Sequence, residues 1–549
     1  MVKDIPPLRR AVAALRFVSI LLPGLIALYL IVRALWDNDT SDIRYGLGMT
    51  AILGLSLFVR APGPQGRRSY RFESSWLFWL FAIVLIFPIT VIALIFGKVD
   101  VAALVFHWVF GVEGTPWGEI SPYVFTAFMY CLALSVTFLR LRPYMARIRF
   151  PNLAFGVAIL AINPLVVDLA ETHGLSQFGE QKSFATAFKK VGPATATTIG
   201  NNPNIIYVFL EGLERTYGEA DSFGDAYAPI RELGEGNLEL TNIHQIYATG
   251  WSLAGTVATQ CGVPMLGNVF SAMNEWSNDD PIVPQAVCMS DLTAERGYKN
   301  VYVSSAEVAG ANHSLFGYGN FYNSHGGVQF IDRSDLFKEF GINYVIDRGG
   351  NSWGYRDNLV MERALSEVDR LLNNDQPFFL TVATMDTHGP RAFRSDSCLA
   401  EGEPVVTQDI MDAVRCTSGL AAKFVAQLKE KTAGTNTKIV VMSDHLAHHN
   451  NVYDTLEKYE RRNTVILLQD ELPPAAIGRA GSMIDVFPTV LDWIGWLPAD
   501  DSRAGLGVSL LRRDETLVER FGIEEVNKRL GVDIELAKTL WNGVAEGGV

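Results

Sequence analysis

Four polar residues that could bind a metal ion or move a proton directly follow three apolar runs: Glu211 after 205–210, His388 after 379–387, and Asp444 with His445 after 438–443. Taken singly, each could be a helix N-cap or a surface charge. The carboxyl ends of parallel strands, however, meet at one edge of a sheet. Carboxylate oxygens and imidazole nitrogens bind Zn²⁺ or Mn²⁺, and a further histidine could transfer protons. The pattern predicts one divalent metal site at that edge.

A nucleophile for such a site is expected in residues 248–256, which are small and rich in hydroxyl groups. Val257 follows, as at the start of a helix. A hydroxyl at a helix N-terminus gains from the helix dipole, and metal coordination further favours its alkoxide. Thr249, Ser252 and Thr256 are equal candidates on these grounds, and plain N-capping is the structural alternative.

Histidines are concentrated just after the third run. His445, His448 and His449 are three of the nine histidines in the chain and lie within five residues. His448 and His449 could line the same site, or they could belong to a solvated turn. His448 is therefore a candidate substrate-binding residue.

The elements that must position these residues follow from short β-rich runs separated by helical patterns. The strand predictions are 205–210, 301–304, 378–383, 439–442 and 464–468, and a helix is predicted over 359–372. This alternation predicts an α/β domain with a mainly parallel sheet over residues 204–549. Residues 171–203 are predicted to form a polar linker, with an amphipathic stretch at 184–191.

Length and charge indicate two different regions. The chain has 549 residues, which is too long for a single hydrophobic core. Its apolar fraction of 49% and mean hydropathy of +0.16 exclude a disordered protein. Residues 1–170 hold 15 Lys and Arg against 9 Asp and Glu, while the remainder holds 31 against 50. The acidic remainder lacks the basic surface that nucleic acid requires, so no nucleic-acid partner is expected.

Residues 1–170 are predicted to form a multi-pass α-helical membrane domain. Its five apolar segments are 17–36, 45–59, 75–97, 120–139 and 150–167. The connecting segments alternate in charge, and the basic ones include the N-terminus, which the positive-inside rule places in the cytoplasm. Five spans then put the domain after residue 170 on the far side of a lipid bilayer. The apolar loop around 106–110 is better suited to the membrane interface than to a sixth span.

Cysteine usage agrees with an exported domain, because disulfides persist in oxidising compartments. Of five cysteines, Cys131 lies in the fourth apolar segment and the other four lie after residue 170. We predict two disulfide bonds, Cys261 with Cys288 and Cys398 with Cys416. The alternative is four unpaired, buried thiols.

Several motifs together carry a resemblance to a known family. They are 204–217 around Glu211-Gly-Leu-Glu214, 251–262 around Ser252, Asp386-Thr-His388, 443–447 around Asp444-His445, 483–495 and 505–510. In order and spacing this set resembles the membrane phosphoglycerol transferases that decorate periplasmic glucans. These are relatives of lipoteichoic acid synthases and phosphoethanolamine transferases in the sulfatase and alkaline phosphatase superfamily. The resemblance spans the chain in outline, including the membrane helices.

The resemblance implies roles for particular residues. Glu211, Asp444 and His445 would bind one divalent ion (Mn²⁺, Mg²⁺ or Zn²⁺). Ser252 stands where the family usually has a nucleophilic Thr, and would be both fourth ligand and nucleophile. His388 would transfer protons or stabilise the phosphate. Residues that resemble family segments near the substrate are Asn312, His313, Trp353, Arg356 and Asp357, although no Lys or Arg occurs in 310–319, where relatives have a basic residue.

The implied activity is transfer of phosphoglycerol from phosphatidylglycerol to an osmoregulated periplasmic glucan, through a phospho-serine intermediate and with release of diacylglycerol. The implied location is the Gram-negative inner membrane, with a periplasmic catalytic domain. The nearest alternative is phosphoethanolamine transfer to lipid A or glucan. A sulfatase is disfavoured because the run from Cys261 has its Pro one position late and lacks the Arg of the sulfatase motif. The remaining alternative is an inactive membrane sensor or a glucan-binding module.

Overall fold

The computed structural model describes most of the chain after residue 182. Its described residues are the helix Trp117–Leu141, residues 182–191, 202–267, 280–306, 317–341, 354–389, 392–400, 403, 405–407, 409–468 and 473–542, scattered residues between 83 and 106, and residue 157. The chain divides into two compact units. One comprises residues 1–98 and 117–168, and the other comprises residues 99–116 and 169–549.

The first unit is described mainly by one helix. This helix, Trp117–Leu141, contains the predicted apolar segment 120–139. Across the described residues, no helix combines the length and the apolar character needed to cross a membrane. The predicted segments 17–36 and 45–59 lie outside the described residues, and 75–97 and 150–167 lie there for the most part.

The second unit is organised by an eight-stranded sheet. We number its strands in chain order: β1 Asn204–Leu210, β2 Leu238–Leu240, β3 Lys299–Ser304, β4 Gln329–Ile331, β5 Phe378–Ala383, β6 Thr437–Ser443, β7 Val465–Leu468 and β8 Ala475–Ile477. The spatial order is β8-β2-β7-β6-β1-β5-β3-β4. Strands β6, β1, β5, β3 and β4 are mutually parallel, whereas β7 is antiparallel to both β6 and β2. The predicted α/β class and mainly parallel sheet are confirmed.

The central strands of the sheet are buried on both faces, which explains why most of their residues are apolar. On β1, the side chains of Ile205, Tyr207 and Phe209 enter one hydrophobic core, and the alternate residues 206, 208 and 210 enter the other. In register, β1 pairs along its length with β5 on one side and β6 on the other. The ends of these three strands therefore lie side by side.

Helices cover the two faces. Ser252–Cys261 and Met483–Trp493 contribute to one core, and Asp357–Leu372 and Ile410–Lys431 to the other. Among the described residues of the unit, further helices are Ala220–Phe223, Ala228–Glu235, Met289–Glu295, Tyr318–Ser324, Arg333–Phe340, Tyr453–Leu456, Leu517–Phe521, Ile523–Val532 and Ile534–Asn542, with 3₁₀ turns at Phe184–Ala187, Arg215–Gly218 and Asp396–Cys398. Two-residue strands pair at Ile243–His244 with Gly481–Ser482, Ala392–Phe393 with Val406–Thr407, and Arg503–Ala504 with Gly507–Val508.

Residues 182–191, within the predicted linker, pack on the second unit. Phe184 is buried, and the guanidinium carbon of Arg529 lies 3.9 Å from the centroid of the Phe184 ring. The ring of Phe521 also lies near Phe184. Asp533 accepts hydrogen bonds from the Ser183 hydroxyl (2.6 Å) and the Phe184 amide (2.7 Å). This part of the predicted linker is thus a fixed piece of the second unit.

The segment 99–116 also belongs to the second unit, although the sequence groups it with the membrane region. Phe106 is buried in the same core as the helix Ser252–Cys261, with its ring centroid 5.7 Å from that of Trp251. Trp251 is the residue that precedes Ser252. Phe106, from early in the chain, therefore packs close to the candidate nucleophile.

Candidate active site

The sheet brings the predicted metal ligands to one edge. Glu211 follows β1, and Asp444 with His445 follows β6, its neighbour in register. His388 comes after β5 on the other side of β1, beyond a short turn. Ser252 is the first residue of the helix Ser252–Cys261. These residues come from four separate parts of the chain and meet because β5, β1 and β6 are adjacent and parallel.

Short distances connect the donor atoms. Ser252 Oγ lies 3.1 Å from Glu211 Oε2 and 3.3 Å from His445 Nε2. His445 Nε2 in turn lies 3.2 Å from Glu211 Oε1 and 3.4 Å from Asp444 Oδ2. Glu211, Asp444 and His445 are all buried, and their candidate donor atoms lie within 4.8 Å of one another. Two carboxylates, an imidazole and a hydroxyl thus surround one point.

The donor chemistry of this cluster fits a divalent cation. His445 Nδ1 lies 2.7 Å from the Leu446 carbonyl, which can only accept a hydrogen bond, so Nδ1 carries a proton. In neutral His445 the Nε2 lone pair is therefore directed toward Glu211 and Asp444, as a metal-ligating histidine requires. Oxygen and nitrogen donors of this kind suit Zn²⁺, Mn²⁺ or Mg²⁺.

The charges in the cluster are strongly coupled. Burial and the neighbouring Glu211 carboxylate raise the pKa of Asp444. Burial also acts on Glu211, but His445 and His388 outweigh it and lower the pKa of Glu211. Burial disfavours the charged form of His445, yet the carboxylates of Asp444 and Glu211 prevail and raise its pKa to about 9. Two buried carboxylates in one site create a field that attracts positive charge, which is what a bound cation would supply.

Of the three hydroxyls that the sequence leaves open, Ser252 is the one hydrogen-bonded to the metal-ligand cluster. Thr249 Oγ1 donates to the Ile246 carbonyl at 2.7 Å and accepts from the Ile246 amide, so it closes a turn. Thr256 Oγ1 donates to the Ser252 carbonyl at 2.9 Å, within the helix. Ser252 itself lies at the positive end of the helix dipole, which favours a developing negative charge.

The helix Ser252–Cys261 passes very close to the backbone of Asp444. A Cβ built on Gly255 would lie 1.8 Å from the Asp444 carbonyl oxygen. Because glycine alone permits this approach, Gly255 sets the distance between the helix that carries Ser252 and the strand end that carries Asp444 and His445.

Two further histidines lie in this region. His388 Nδ1 is 2.6 Å from the Gly389 carbonyl, so Nδ1 carries a proton and, in the neutral ring, Nε2 is an acceptor. The ring of His448 lies 4.3 Å from that of His445 and 6.2 Å from that of His388, centroid to centroid. Burial lowers the pKa of both His388 and His448, which favours neutral imidazoles.

Arg356 and Asp357 are buried behind the turn that carries His388. Asp357 Oδ1 accepts hydrogen bonds from the amides of Met385 (2.7 Å) and Asp386 (3.1 Å), and Oδ2 accepts from the Thr417 hydroxyl (3.1 Å). Arg356 Nη1 lies 3.6 Å from Asp386 Oδ1. Both carboxylate oxygens of Asp357 are therefore engaged within the protein. Of the other predicted substrate residues, His448 is described above, and Asn312, His313 and Trp353 lie outside the described residues.

The structure has the two disulfide bonds that the sequence predicts. Cys261 pairs with Cys288, and Cys398 pairs with Cys416. The first bond fixes the C-terminal end of the helix that begins at Ser252. A second cluster that could hold a metal, Cys288 with Asp291 and His325, has its sulfur in this disulfide, so it offers no thiolate.

Three residues that the sequence did not single out hold the loop after Asp444. Gln245, Glu214 and Arg461 form hydrogen bonds to backbone atoms of Leu446 or Ala447. Glu214 lies in a motif that the sequence highlights, but no local signal distinguishes Gln245 or Arg461 from other polar residues.

The chain is similar to known proteins over most of its length. Residues 203–496 match the Sulfatase family. Phosphoglycerol transferase I from Xanthomonas euvesicatoria pv. vesicatoria (strain 85-10) is 29% identical over 457 residues, which is 80% of this chain and 62% of that protein. Phosphoglycerol transferase I from Escherichia coli (strain SMS-3-5 / SECEC) is 27% identical over 411 residues, which is 71% of this chain and 51% of that protein. The chain thus spans between half and two thirds of the length of these relatives, and the resemblance drawn from the motifs is confirmed.

Two solved structures are similar to part of the chain. An alkaline phosphatase superfamily protein from Vibrio parahaemolyticus has a TM-score of 0.47 and 18% identity, covering 64% of this chain and 82% of that one. The lipoteichoic acid synthase LtaP from Listeria monocytogenes has a TM-score of 0.45 and 15% identity, covering 62% of this chain and 92% of that one.

Proposed function

Because the chain belongs to the sulfatase family, we propose that it is a metal-dependent transferase that moves phosphoglycerol from phosphatidylglycerol to a periplasmic glucan and releases diacylglycerol. The observation that carries this proposal is the hydroxyl of Ser252, which lies at a helix N-terminus within 3.3 Å of both Glu211 and His445. The similarity to the phosphoglycerol transferase I proteins supports the choice of group transferred.

One divalent cation is part of the proposal. Glu211, Asp444, His445 and Ser252 would hold it, and when bound it would neutralise charge on the phosphoryl oxygens and favour the Ser252 alkoxide. The native ion is Mn²⁺, Mg²⁺ or Zn²⁺. The buried carboxylates and the tautomer of His445 support this ligand set.

The first half of the reaction forms a covalent intermediate. Ser252 Oγ attacks the phosphorus of phosphatidylglycerol, and the bond from phosphorus to the diacylglycerol oxygen breaks. The proton of Ser252 ends on the diacylglycerol hydroxyl, which leaves a glycerophosphoryl group on Ser252. The position of Ser252 at the helix N-terminus stabilises the negative charge that develops there.

The second half transfers the group to the acceptor. A glucan hydroxyl attacks the same phosphorus, and its proton passes to His388 Nε2, the acceptor nitrogen in the neutral ring. The bond between phosphorus and Ser252 Oγ then breaks, and His388 returns the proton to Ser252. Asp357 and Arg356 support this step by holding the turn at 385–386, while Asn312, His313, Trp353 and His448 are proposed to contact the headgroup.

We further propose that the protein works at the surface of the Gram-negative inner membrane. Residues 1–170 would supply five spans with a cytoplasmic N-terminus, 171–203 would connect them to the periplasm, and 204–549 would carry the chemistry. The alternating charges of the connecting segments and the two disulfide bonds support this topology. Anchoring in the bilayer would keep the site near a lipid donor.

The proposal is tested with the purified full-length chain, phosphatidylglycerol or phosphatidylethanolamine in mixed micelles, and a glucan acceptor. Release of diacylglycerol and the mass of the modified glucan are measured. We expect Ser252→Ala to lower diacylglycerol release by at least about 1,000-fold, whereas Ser252→Thr retains activity. Thr256→Ala, which removes a nearby hydroxyl from the same helix, serves as the control.

Diacylglycerol release by Ser252→Ala at the wild-type rate would refute the nucleophile. A chain that uses phosphatidylethanolamine and ignores phosphatidylglycerol would instead transfer phosphoethanolamine, and the donor assignment would be wrong.

A further inference from the structure

The loop that carries two of the proposed metal ligands has its backbone held by side chains. We call residues 444–448 the ligand loop. Three consecutive amides in it each donate to a side-chain oxygen: His445 N to Asp444 Oδ1 (2.9 Å), Leu446 N to Gln245 Oε1 (2.8 Å) and Ala447 N to Glu214 Oε2 (2.8 Å). No helix or strand supplies these bonds, so side chains set the path of the loop.

Ala447 is held on both of its polar backbone groups by one ion pair. Its amide donates to Glu214, and its carbonyl accepts from Arg461 Nη2 at 2.7 Å. Arg461 Nε lies 3.0 Å from Glu214 Oε1 and 3.1 Å from Oε2, and Nη2 also donates to Glu214. Glu214 is fully buried and Arg461 nearly so. A buried ion pair with this many hydrogen bonds fixes its partners in one geometry.

The same pair relates the ligand loop to the strand end that carries Glu211. Glu214 is three residues after Glu211, and Gly212 between them has φ +54°. A Cβ on Gly212 would lie 3.3 Å from the Cα of Ala447, so the two strand ends are in contact at this point. The amide of Gly212 also donates to Asp444 Oδ1 at 2.9 Å. Glu214 therefore couples the position of Glu211 to that of His445.

Gln245 contacts both the ligand loop and the turn that precedes Ser252, the proposed nucleophile. Its Oε1 accepts from the Leu446 amide, and its side chain fills the space that a Cβ on Gly250 would need, with Nε2 at 2.7 Å. Gly250 lies in the turn that leads into Ser252. The loop is thus hydrogen-bonded on one side to Glu214, three residues after Glu211, and on the other to Gln245, which packs against the turn before Ser252.

We propose that Glu214, Arg461 and Gln245 are positioning residues that fix the ligand loop before any cation binds. Glu214 and Arg461 hold Ala447, Gln245 holds Leu446, and together they set where His445 Nε2 and the His448 ring lie. This inference rests on the proposed metal site but concerns residues that do not touch the metal or the substrate. Partners of metal ligands act by orienting those ligands, and their loss typically lowers metal affinity by about 10- to 100-fold.

The test uses the full-length chain with Glu214→Gln or Arg461→Lys. Glutamine can still accept from the Ala447 amide but cannot pair with the guanidinium, and lysine cannot bridge Glu214 and the Ala447 carbonyl as a fork. The matched control is Glu367→Gln, because Glu367 is also fully buried and bonded to two arginines, 363 and 370.

Three quantities are measured: Mn²⁺ affinity by calorimetry, the visible absorption spectrum of the Co²⁺ form, and amide hydrogen exchange of residues 444–449 in the metal-free protein. We expect Glu214→Gln and Arg461→Lys to weaken Mn²⁺ binding by about 10- to 100-fold, to alter the Co²⁺ spectrum, and to speed exchange in the loop. The control variant should bind Mn²⁺ with an affinity within about twofold of the wild type. This expectation holds even if the control variant is less thermally stable than the wild type.

Equal losses of Mn²⁺ affinity in Glu214→Gln and Glu367→Gln would overturn the proposal, since the effect would then be general destabilisation. So would wild-type affinity and wild-type loop exchange in folded Glu214→Gln protein. A wild-type chain that binds no divalent cation would refute the proposed metal site, while exchange in the metal-free protein would still decide whether these residues hold the loop.

Discussion

Replacing Gly255 with alanine should move Ser252, the proposed nucleophile, away from the proposed metal ligands without changing any of these residues. The new methyl group would start 1.8 Å from the Asp444 carbonyl oxygen, and this distance must grow by about 1.6 Å before the two atoms reach ordinary contact. Gly255 is buried in the first turn of the helix that begins at Ser252, so the helix and its hydroxyl must move away from the strand end. A misplacement of this size costs about 100-fold in rate, or roughly 2.7 kcal/mol of transition-state stabilisation.

The assay is diacylglycerol release from phosphatidylglycerol by full-length Gly255→Ala protein, together with its thermal unfolding. The matched control is Gly419→Ala, because Gly419 also lies inside a helix, Ile410–Lys431, but is exposed, and a methyl group added there would have no neighbouring atom within 4 Å. Alanine is the better helix former, so the control should keep full activity and gain about 0.5 to 1 kcal/mol of stability.

Gly255→Ala protein that is folded and retains activity within about threefold of wild type would refute this reasoning, because transition-state stabilisation would then tolerate the displacement. A parallel loss of activity in Gly419→Ala would be equally damaging, since it would show that activity responds to any helix substitution.

Three other predictions follow from the site, the disulfide bonds and residues 182–191. Removing divalent cations with a chelator should abolish diacylglycerol release, and added Mn²⁺ should restore it; activity that survives complete chelation would contradict the metal site. The double variant of Cys261 and Cys288 to alanine should lose about 3 to 4 kcal/mol, measured by denaturant unfolding, because the bond closes a loop of 27 residues; an unchanged midpoint would contradict this. Phe184→Ala should lower unfolding stability by about 3 kcal/mol or more, whereas a loss below about 1 kcal/mol would mean that the segment contributes little.

The central strands could be predicted from the sequence because each is four or more residues long and apolar on both faces. The predicted run 378–383 coincides with β5, and the run 205–210 falls one residue short of β1. Strands β2, β4 and β8 have three residues each, which is too short for a periodic signal. Their place in the sheet depends on partners that are remote in the chain.

The convergence of Glu211, Asp444 and His445 could also be predicted, because neighbouring parallel strands end at one edge of a sheet. Their detailed placement could not be predicted, because Glu214, Gln245 and Arg461 hold the loop that follows Asp444. The role of Asp357 was not accessible. Its buried carboxylate accepts hydrogen bonds from the backbone amides of residues 385 and 386 in place of hydrogen bonds from water. These partners are remote in the chain, so no local sequence pattern indicates them. The contact of Arg461 could not be predicted for the same reason, because its partner Glu214 is 247 residues away in the chain.

The inclusion of residues 99–116 in the second unit has a consequence for how the protein is made. Phe106 leaves the ribosome about 145 residues before Trp251, its aromatic neighbour, which at typical synthesis rates is a delay of roughly 7 to 30 seconds. During that interval the first unit is still being completed by residues 117–168. The second unit is therefore interrupted in the chain, and a fragment that starts at residue 169 would lack Phe106, whose ring lies near that of Trp251, the residue before Ser252.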